Sequence, residues 1–333
     1  MNIPVVEQHT WQWLLGNTLE RLDELLDFVE LTPAQLDLSE AASRQFALRV
    51  PLPYASLIEK GNPHDPLLLQ VLPQRAEMQQ VPGFVSDPLE EKQSNPVEGL
   101  IHKYRGRVLV ILSSACAINC RYCFRRHFPY GENRTSGEHW QRILDYIRAD
   151  ESITEVIFSG GDPLATSDKR LAKMLDDLQG IAHLQRLRFH SRLPVVIPQR
   201  ITDELCQILA NCRLQKVLVV HANHAREFSP AVARALRNVA AVQCQVLNQA
   251  VLLKGINDDL EAQLALHQAS FAAGALPYYL FVLDRVQGAA HFDVSDDEAV
   301  ELLRQMQREL PGYLLPRLAR EIPGKPSKTL LHI

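Results

Sequence analysis

The sequence lacks three features typical of membrane or nucleic-acid-binding proteins: a long apolar run, a basic leader and an excess of positive charge. The longest apolar run, around VLVILSSACAI, is too short to span a bilayer. The N-terminal MNIPVVEQHTWQWLL has no basic stretch before an apolar core, so it does not resemble a secretory signal. The formal net charge is −4, whereas nucleic-acid-binding proteins usually present a basic face. We therefore expect a cytoplasmic protein with neither membrane nor nucleic-acid partners.

Cysteine is scarce as well, and its distribution argues against a disulfide framework. The 333 residues include six cysteines, and cytosolic chains of this size rarely form disulfides. Three of the six are isolated within helical or strand patterns and are interpreted as buried apolar thiols, namely Cys206, Cys212 and Cys244. The other three lie within eight positions of one another and require a separate explanation.

The N-terminal part, residues 1–95, is predicted to be a helical cap region. Apolar residues recur at helical spacing from Leu14 to Val29, which predicts one long amphipathic helix. Thr32 followed by Pro33 is a typical helix start and predicts a second helix. Frequent prolines from Pro51 to Pro96 predict extended connections and short helices.

Residues 96–333 alternate between short apolar runs and longer helical patterns. The predicted strands are RVLVILSS, TEVIFSG, LQRLRFHS, KVLVVHA, VQCQVLNQ and LPYYLFVL. Near-continuous apolar strands that alternate with helices indicate a parallel sheet covered by helices. Six such units in a row favour an α/β fold built as a partial (β/α)6 barrel over a small doubly wound sheet. In barrels, catalytic residues lie at the carboxyl ends of the strands.

The clustered cysteines, Cys116, Cys120 and Cys123, directly follow the first predicted strand with C-x3-C-x2-C spacing. Three thiolates this close can bind three irons of a [4Fe–4S] cluster and leave the fourth iron without a protein ligand. A structural zinc site is the alternative, with His127 as a fourth ligand.

This motif resembles that of the radical S-adenosylmethionine (SAM) superfamily. The resemblance implies that S-adenosyl-L-methionine chelates the open iron and is cleaved by an electron from the cluster to a 5′-deoxyadenosyl radical. The second strand ends in SGGDP, which is similar to the glycine-rich segment of the superfamily that contacts the methionine amino group. Gly160, Gly161 and Asp162 are therefore expected at the SAM site.

Longer segments resemble the lysine 2,3-aminomutases over about residues 80–333. They are GLIHKYRGRVLVILSSACAINCRYCFRRH, FSGGDPL, HSRLPVVIPQRIT, HANH, LNQAVLLKGIND and LPYYLFVLDRVQGAAHF. The resemblance implies a radical-SAM barrel that also uses pyridoxal 5′-phosphate and moves an amino group between adjacent carbons. It further implies that His224 and Gln249 line the SAM site.

The same resemblance assigns the pyridoxal phosphate site. The segment IPGKPSKT aligns with the family segment that precedes the cofactor lysine and indicates Lys328, with Lys325 as the alternative. Lys103, which replaces an arginine of the family, and Arg107 match basic positions near the cofactor phosphate.

Three further positions imply L-lysine as the substrate. Arg125 matches the arginine that holds the substrate carboxylate, and its guanidinium suits a bidentate contact. The neighbouring Arg126 is interpreted as structural. Asp284 and Glu321 match the two acids that receive the distal ammonium, although the free-lysine enzymes have aspartate at the position of Glu321. Two acids at this end disfavour glutamate as the substrate, because like charges repel in a closed site.

The short C-terminal tail and Glu321 together resemble short bacterial members of the family. Those members make (R)-β-lysine, which a ligase attaches to elongation factor P. We therefore expect a functional link to that factor and its ligase, an electron donor that the sequence does not identify, and possible homo-oligomers. The alternatives are a mutase that makes free β-lysine for another purpose, a non-radical pyridoxal enzyme such as a racemase, and a zinc-stabilised binding module.

Overall fold

The computed structural model describes residues 9–128 and 137–332. Its N-terminal part consists of short elements. They are α1 (Trp11–Gly16), β1 (Thr18–Leu19), α2 (Leu22–Phe28), α3 (Glu40–Gln45), β2 (Val50–Pro51), α4 (Leu52–Ala55) and α5 (Pro66–Leu69). Helical turns dominate this part, as the sequence predicts, and the division of the chain at residues 95 and 96 stays a prediction.

The single long helix predicted across residues 14–29 is wrong, because the chain leaves the helix after Gly16. Asn17 caps α1 through a 2.8 Å hydrogen bond from its Nδ2 to the Trp13 carbonyl. The next two residues form β1, which pairs with β2 and so satisfies its backbone groups outside a helix. The second predicted helix is a single 3₁₀ turn, Pro33–Gln35, after the Thr32 cap.

The rest of the protein is built on a nine-stranded sheet with the strand order β11-β10-β9-β8-β7-β6-β5-β4-β3. Its strands are β3 (Leu100–Tyr104), β4 (Arg107–Ser113), β5 (Glu155–Gly160), β6 (Arg186–Ser191), β7 (Gln215–His221), β8 (Cys244–Val251), β9 (Leu276–Phe281), β10 (Arg317–Arg320) and β11 (Thr329–Leu330). All six predicted strands are present as β4 to β9, and each pairs in parallel with the next. The two edge strands β3 and β11 are not hydrogen-bonded to each other, so this is a partial barrel.

Helices cover the sheet. They are α6 (Gly137–Ala149), α7 (Asp168–Gln179), α8 (Leu193–Val196), α9 (Asp203–Asn211), α10 (Pro230–Ala241), α11 (Leu260–Ala272) and α12 (Asp296–Glu309). Their starts follow from side-chain caps: Thr202, Ser229 and Asp259 each accept a hydrogen bond from a backbone N–H of the first turn. Only the four-residue α8 was not expected from the helical patterns.

Three strands of the sheet were not predicted. Antiparallel β3 precedes β4, β10 adds a seventh parallel strand next to β9, and β11 pairs antiparallel with β10. The four residues of β10, RLAR, are too few and do not alternate between polar and apolar, so they do not stand out as a strand. The additional strands matter because β3 carries Lys103 and β10 ends next to Glu321.

One hydrophobic core joins the N-terminal elements to the barrel. Trp11 and Leu14 of α1 belong to the same buried cluster as Phe158 in β5 and Leu236 in α10. No helix in the two described ranges is both long and apolar enough to cross a membrane.

Candidate active site

A cavity of about 730 Å³ opens at the carboxyl ends of the parallel strands. It is the position at which barrel folds place their chemistry. Thirteen of the predicted site residues line it, namely Lys103, Arg107, Cys116, Cys120, Cys123, Arg125, Gly160, Gly161, Asp162, Gln249, Asp284, Glu321 and Lys328.

The cysteine loop and the end of β5 are packed against each other through backbone contacts. The Gly161 N–H donates to the Ser113 carbonyl at 2.7 Å, and the Asp162 N–H donates to the Ala115 carbonyl at 2.8 Å. A Cβ atom on Gly161 would lie 2.5 Å from the Ala115 carbonyl oxygen. The sequence needs glycine here because any side chain would push the cysteine loop away from β5.

Asp162 is fixed by the protein itself. One carboxylate oxygen accepts from the Leu164 N–H and the Ser191 hydroxyl, and the other accepts from the N–H groups of Arg192 and Leu193. These bonds favour the charged form, but burial is the larger effect and raises the pKa of Asp162. The carboxylate thereby joins the ends of β5 and β6 beneath the cavity.

The three clustered cysteines face the same cavity. Burial, together with the charge of neighbouring cysteines, raises the pKa of the Cys116 thiol and raises that of Cys123 to about 12. A bound metal reverses this preference, because the thiolate is the ligand form. Within residues 9–128 and 137–332, no three His, Cys, Asp or Glu side chains are grouped as ligands of one metal ion. In a [4Fe–4S] cluster each cysteine binds a different iron, so the three thiolates do not need to coordinate one common metal ion. The three cysteines therefore fit that group.

A buried arginine contacts one of these cysteines. The Nη1 of Arg192 donates to Cys120 Sγ at 2.6 Å, and the same nitrogen contacts the Tyr122 hydroxyl. Its Nη2 donates to Gln70 at 2.9 Å and to Glu227 at 3.0 Å. Hydrogen bonds to cysteine sulfur are among the factors that set the reduction potential of a cluster.

Acids and bases alternate along one wall of the cavity. Lys328 Nζ donates to one oxygen of Glu321 at 2.5 Å, and Lys103 Nζ donates to the other at 3.0 Å. Lys103 also lies 3.9 Å from Glu91, whose carboxylate pairs with Arg125. We call this series, Arg125, Glu91, Lys103, Glu321 and Lys328, the charge ladder.

The two acids predicted to receive an ammonium group have opposite electrostatic properties. Burial opposes the charge on Glu321, but Lys328 and Lys103 outweigh it and lower the pKa of Glu321 to about 2. Burial, and then the negative charge of Glu321, raise the pKa of Asp284 to about 7. Asp284 is thus the acid of this pair that changes charge near neutral pH.

Several predicted positions lie elsewhere. His224 does not line the cavity: its Nδ1 accepts from the Arg226 N–H at 3.3 Å and caps a 3₁₀ turn. Lys325 is exposed outside the cavity, and His127 contacts the Gln287 carbonyl instead of facing the cysteines. Arg126, by contrast, lines the cavity, but it donates to Glu77 and to two backbone carbonyls, which agrees with its structural interpretation.

Several cavity residues were missed by the sequence analysis, among them Glu91, His190, Arg192 and His221. His190 and His221 are at the carboxyl ends of β6 and β7, so the strand-end rule alone could have found them. Burial lowers the pKa of both histidines, that of His221 to about 3, so both imidazoles are neutral. Glu91 belongs to a proline-rich segment without periodicity, and no local pattern marks it.

Comparison with known proteins adds the family. Residues 110–263 match the family model described as "Radical SAM superfamily". The chain is 52% identical over 328 residues to "L-lysine 2,3-aminomutase" of Haemophilus influenzae, covering 98% of this chain and 97% of the relative. Identity to the protein of the same name from Escherichia coli is 48%, with 100% and 97% covered. The one from Buchnera aphidicola is 39% identical, with 100% and 99% covered.

Proposed function

Because this chain belongs to the L-lysine 2,3-aminomutases of the radical SAM superfamily, we propose that it is an isomerase that converts L-lysine to (R)-β-lysine. The supporting observation is that a single cavity brings together three cysteines, the Arg125 guanidinium, the Asp284 carboxyl and the Lys328 amine. A cavity that holds both a guanidinium and carboxyl groups matches a substrate with a carboxylate and a distal ammonium.

The cavity residues divide among three cofactors. Cys116, Cys120 and Cys123 would hold a [4Fe–4S] cluster, and the residues at the end of β5 together with Gln249 would bind S-adenosylmethionine. Lys328 would bind pyridoxal phosphate, and Lys103 and Arg107 would provide positive charge for its phosphate. When bound, the cluster and S-adenosylmethionine supply a hydrogen-abstracting radical, and pyridoxal phosphate supplies the conjugation through which the amino group migrates.

The protein's own groups bind and orient the substrate. Arg125 fixes the carboxylate through its planar, always charged guanidinium. Asp284 and Glu321 receive the ε-ammonium. In the chain without cofactor, the ionised Glu321 also holds Lys328 in the cavity through the 2.5 Å hydrogen bond. Fixing both ends of lysine sets which carbon faces the radical source, and an error of about 1 Å in such positioning costs around 100-fold in rate.

Product analysis under anaerobic conditions tests the proposal. Reconstituted protein with dithionite, S-adenosylmethionine, pyridoxal phosphate and L-lysine is expected to give β-lysine. Metal analysis should find about four irons per chain with sulfide, whereas about one zinc per chain would indicate a structural zinc site. No β-lysine from protein whose cluster and cofactor are both confirmed by spectroscopy would refute the function.

The product serves the modification of elongation factor P in the cytoplasm. The resemblance to the short bacterial members, through Glu321, supports this purpose over the release of free β-lysine for another use. The intact mass of elongation factor P from cells lacking this protein should be lower by one β-lysyl group. An unchanged mass would leave the mutase activity in place and refute this purpose.

A further inference from the structure

We propose that Glu91 is a positioning residue that holds Arg125 in the orientation in which it receives the carboxylate of an amino-acid substrate. This inference rests on the function proposed above. It assigns a role to a side chain that no sequence motif indicates and that lies in the wall of the cavity.

The contact between the two side chains is bidentate and buried. Arg125 Nε and Nη2 each donate to one oxygen of Glu91 at 2.8 Å. Arg125 is 8% exposed and Glu91 is 5% exposed, so water does not compete strongly for either partner. On its other side, Arg125 Nη1 donates to Ser159 Oγ at 3.1 Å. The guanidinium is therefore clamped between the Glu91 segment and the end of β5.

Glu91 is itself held by a segment that is fixed at several points. Its N–H donates to Asp87 Oδ1 at 3.3 Å. Upstream, the Val85 N–H donates to the Arg285 carbonyl and the Gln287 N–H donates to the Val85 carbonyl, both at 3.0 Å. Arg285 and Gln287 lie one and three residues after Asp284. Leu89 lines the cavity and accepts from Lys103 Nζ at 3.0 Å. The segment that carries Glu91 is thus tied to the same loop as the ammonium-binding acid.

Displacement of Glu91 by the substrate is unfavourable. If the substrate carboxylate took the place of Glu91 on Arg125, Glu91 would remain buried with Lys103 at 3.9 Å as its ion-pair partner. Leaving a buried charge without its main partner is strongly destabilising. A substrate that binds beside Glu91 avoids this cost and finds the guanidinium already oriented.

The test compares two ligands in the reconstituted holoenzyme. Glu91→Gln keeps the size of the side chain and removes its charge. We expect the dissociation constant of L-lysine to rise about tenfold, as for the loss of one charge-assisted hydrogen bond. Cadaverine, which is lysine without its carboxylate, should bind to Glu91→Gln as it does to wild type. Calorimetry gives both constants, and steady-state kinetics should show a higher KM with a smaller change in kcat.

Asp168→Asn is the matched control, because Asp168 pairs with buried Arg200 at 2.6 Å away from the cavity. It should leave the ratio of the two dissociation constants unchanged. Tighter lysine binding by Glu91→Gln would make Glu91 a competitor of the substrate and overturn the proposal. Equal weakening of both ligands, or no change in either, would also overturn it. Wild-type protein that converts no lysine would instead refute the proposed function itself.

Discussion

Asp284 and Glu321 illustrate at the scale of single residues how the same chemical group acquires two roles. Both are carboxyls in one cavity. Glu321 lies between two ammonium groups and stays ionised, with a pKa of about 2. Asp284 receives no hydrogen bond to its side chain from the described residues, and its pKa rises to about 7 because burial and the charge of Glu321 both oppose ionisation. A ligand ammonium supplies the missing countercharge.

Lysine binding should therefore depend on pH near neutrality. As pH rises from 6 to 8, the ionised fraction of a group with a pKa of about 7 increases about tenfold, while the ε-ammonium stays charged. We expect KM for lysine to fall by about that factor over this range. Asp284→Asn should raise KM by roughly 30-fold or more, as for a lost buried charge pair, and should abolish the pH dependence.

L-norleucine is the control for that measurement because it lacks the ε-ammonium. Its inhibition constant should not show the decrease between pH 6 and pH 8 that we expect for the KM of lysine. A pH dependence of lysine KM that persists in Asp284→Asn would show that another group titrates. The neighbouring charged groups that shift the pKa of Asp284 are Glu321, Lys328, Glu91 and Lys103.

The position of the two C-terminal lysines gives a second prediction at this scale. Lys328 Nζ lies in the cavity, 5.2 Å from the centre of the Phe281 ring, whereas Lys325 is exposed outside it. Lys328→Ala should abolish covalent attachment of pyridoxal phosphate, while Lys325→Ala should retain it. Borohydride reduction followed by peptide mass spectrometry checks this. A label on Lys325 in the wild-type protein would contradict the assignment.

At the scale of elements, the strand ends determine the geometry of the site. The loops after β4 and β5 share the backbone hydrogen bonds at Ser113 and Ala115, and Gly160 adopts a φ of +122°, which favours glycine. The cysteine loop is therefore positioned by the second strand of the parallel sheet as well as by the first.

Gly161→Ala should separate these two loops. The new methyl group would lie 2.5 Å from a backbone oxygen, which cannot move without shifting the cysteine loop. We expect iron content after reconstitution to fall to a small fraction of the wild-type value. Gly312→Ala is the matched control, since a Cβ atom there meets nothing within 4 Å. Normal iron content in Gly161→Ala would show that the loop tolerates the shift.

Local sequence patterns predicted the elements of the barrel well because each strand and helix carries its own signal. Apolar runs marked β4 to β9, and side-chain caps marked the helices between them. The pattern failed at residues 14–29, where helical spacing of apolar residues continues across a turn. There the pairing of β1 with β2, some thirty residues away, decided the structure.

At the scale of the whole molecule, buried ion pairs join the N-terminal part to the cysteine loop. Glu77 accepts hydrogen bonds from both Arg121 and Arg126, which flank Cys123, the last cysteine of the motif. Arg121 is fully buried and also donates to the carbonyls of Ala42 and Phe46. The N-terminal part thereby supports the site without lining most of it.

Glu77→Gln should destabilise the whole protein, since it leaves two buried guanidinium groups without a countercharge. Loss of one partner of a buried pair costs roughly 3 kcal/mol or more, which corresponds to a decrease in Tm of about 4 °C for a chain of this length. Thermal denaturation measures this. Glu301→Gln, in the exposed pair with Arg304, should change Tm by less than about 1 °C. Equal decreases in the Tm of the two variants would contradict the proposal that Glu77 stabilises the cysteine loop.

The sequence by itself determined the strands β4 to β9, the cysteine motif and thirteen of the residues that line the cavity, because these signals are local or lie in recognisable segments. Only the tertiary structure decided which of them meet. Lys103 and Glu321 are separated by 218 positions and lie 3.0 Å apart, and Arg125 pairs with a glutamate from a segment without any pattern. The tertiary structure also placed His221, and not His224, in the cavity. Contacts between distant segments depend on how the strands are arranged around the cavity. Local periodicity reports only on neighbouring residues and so cannot predict those contacts.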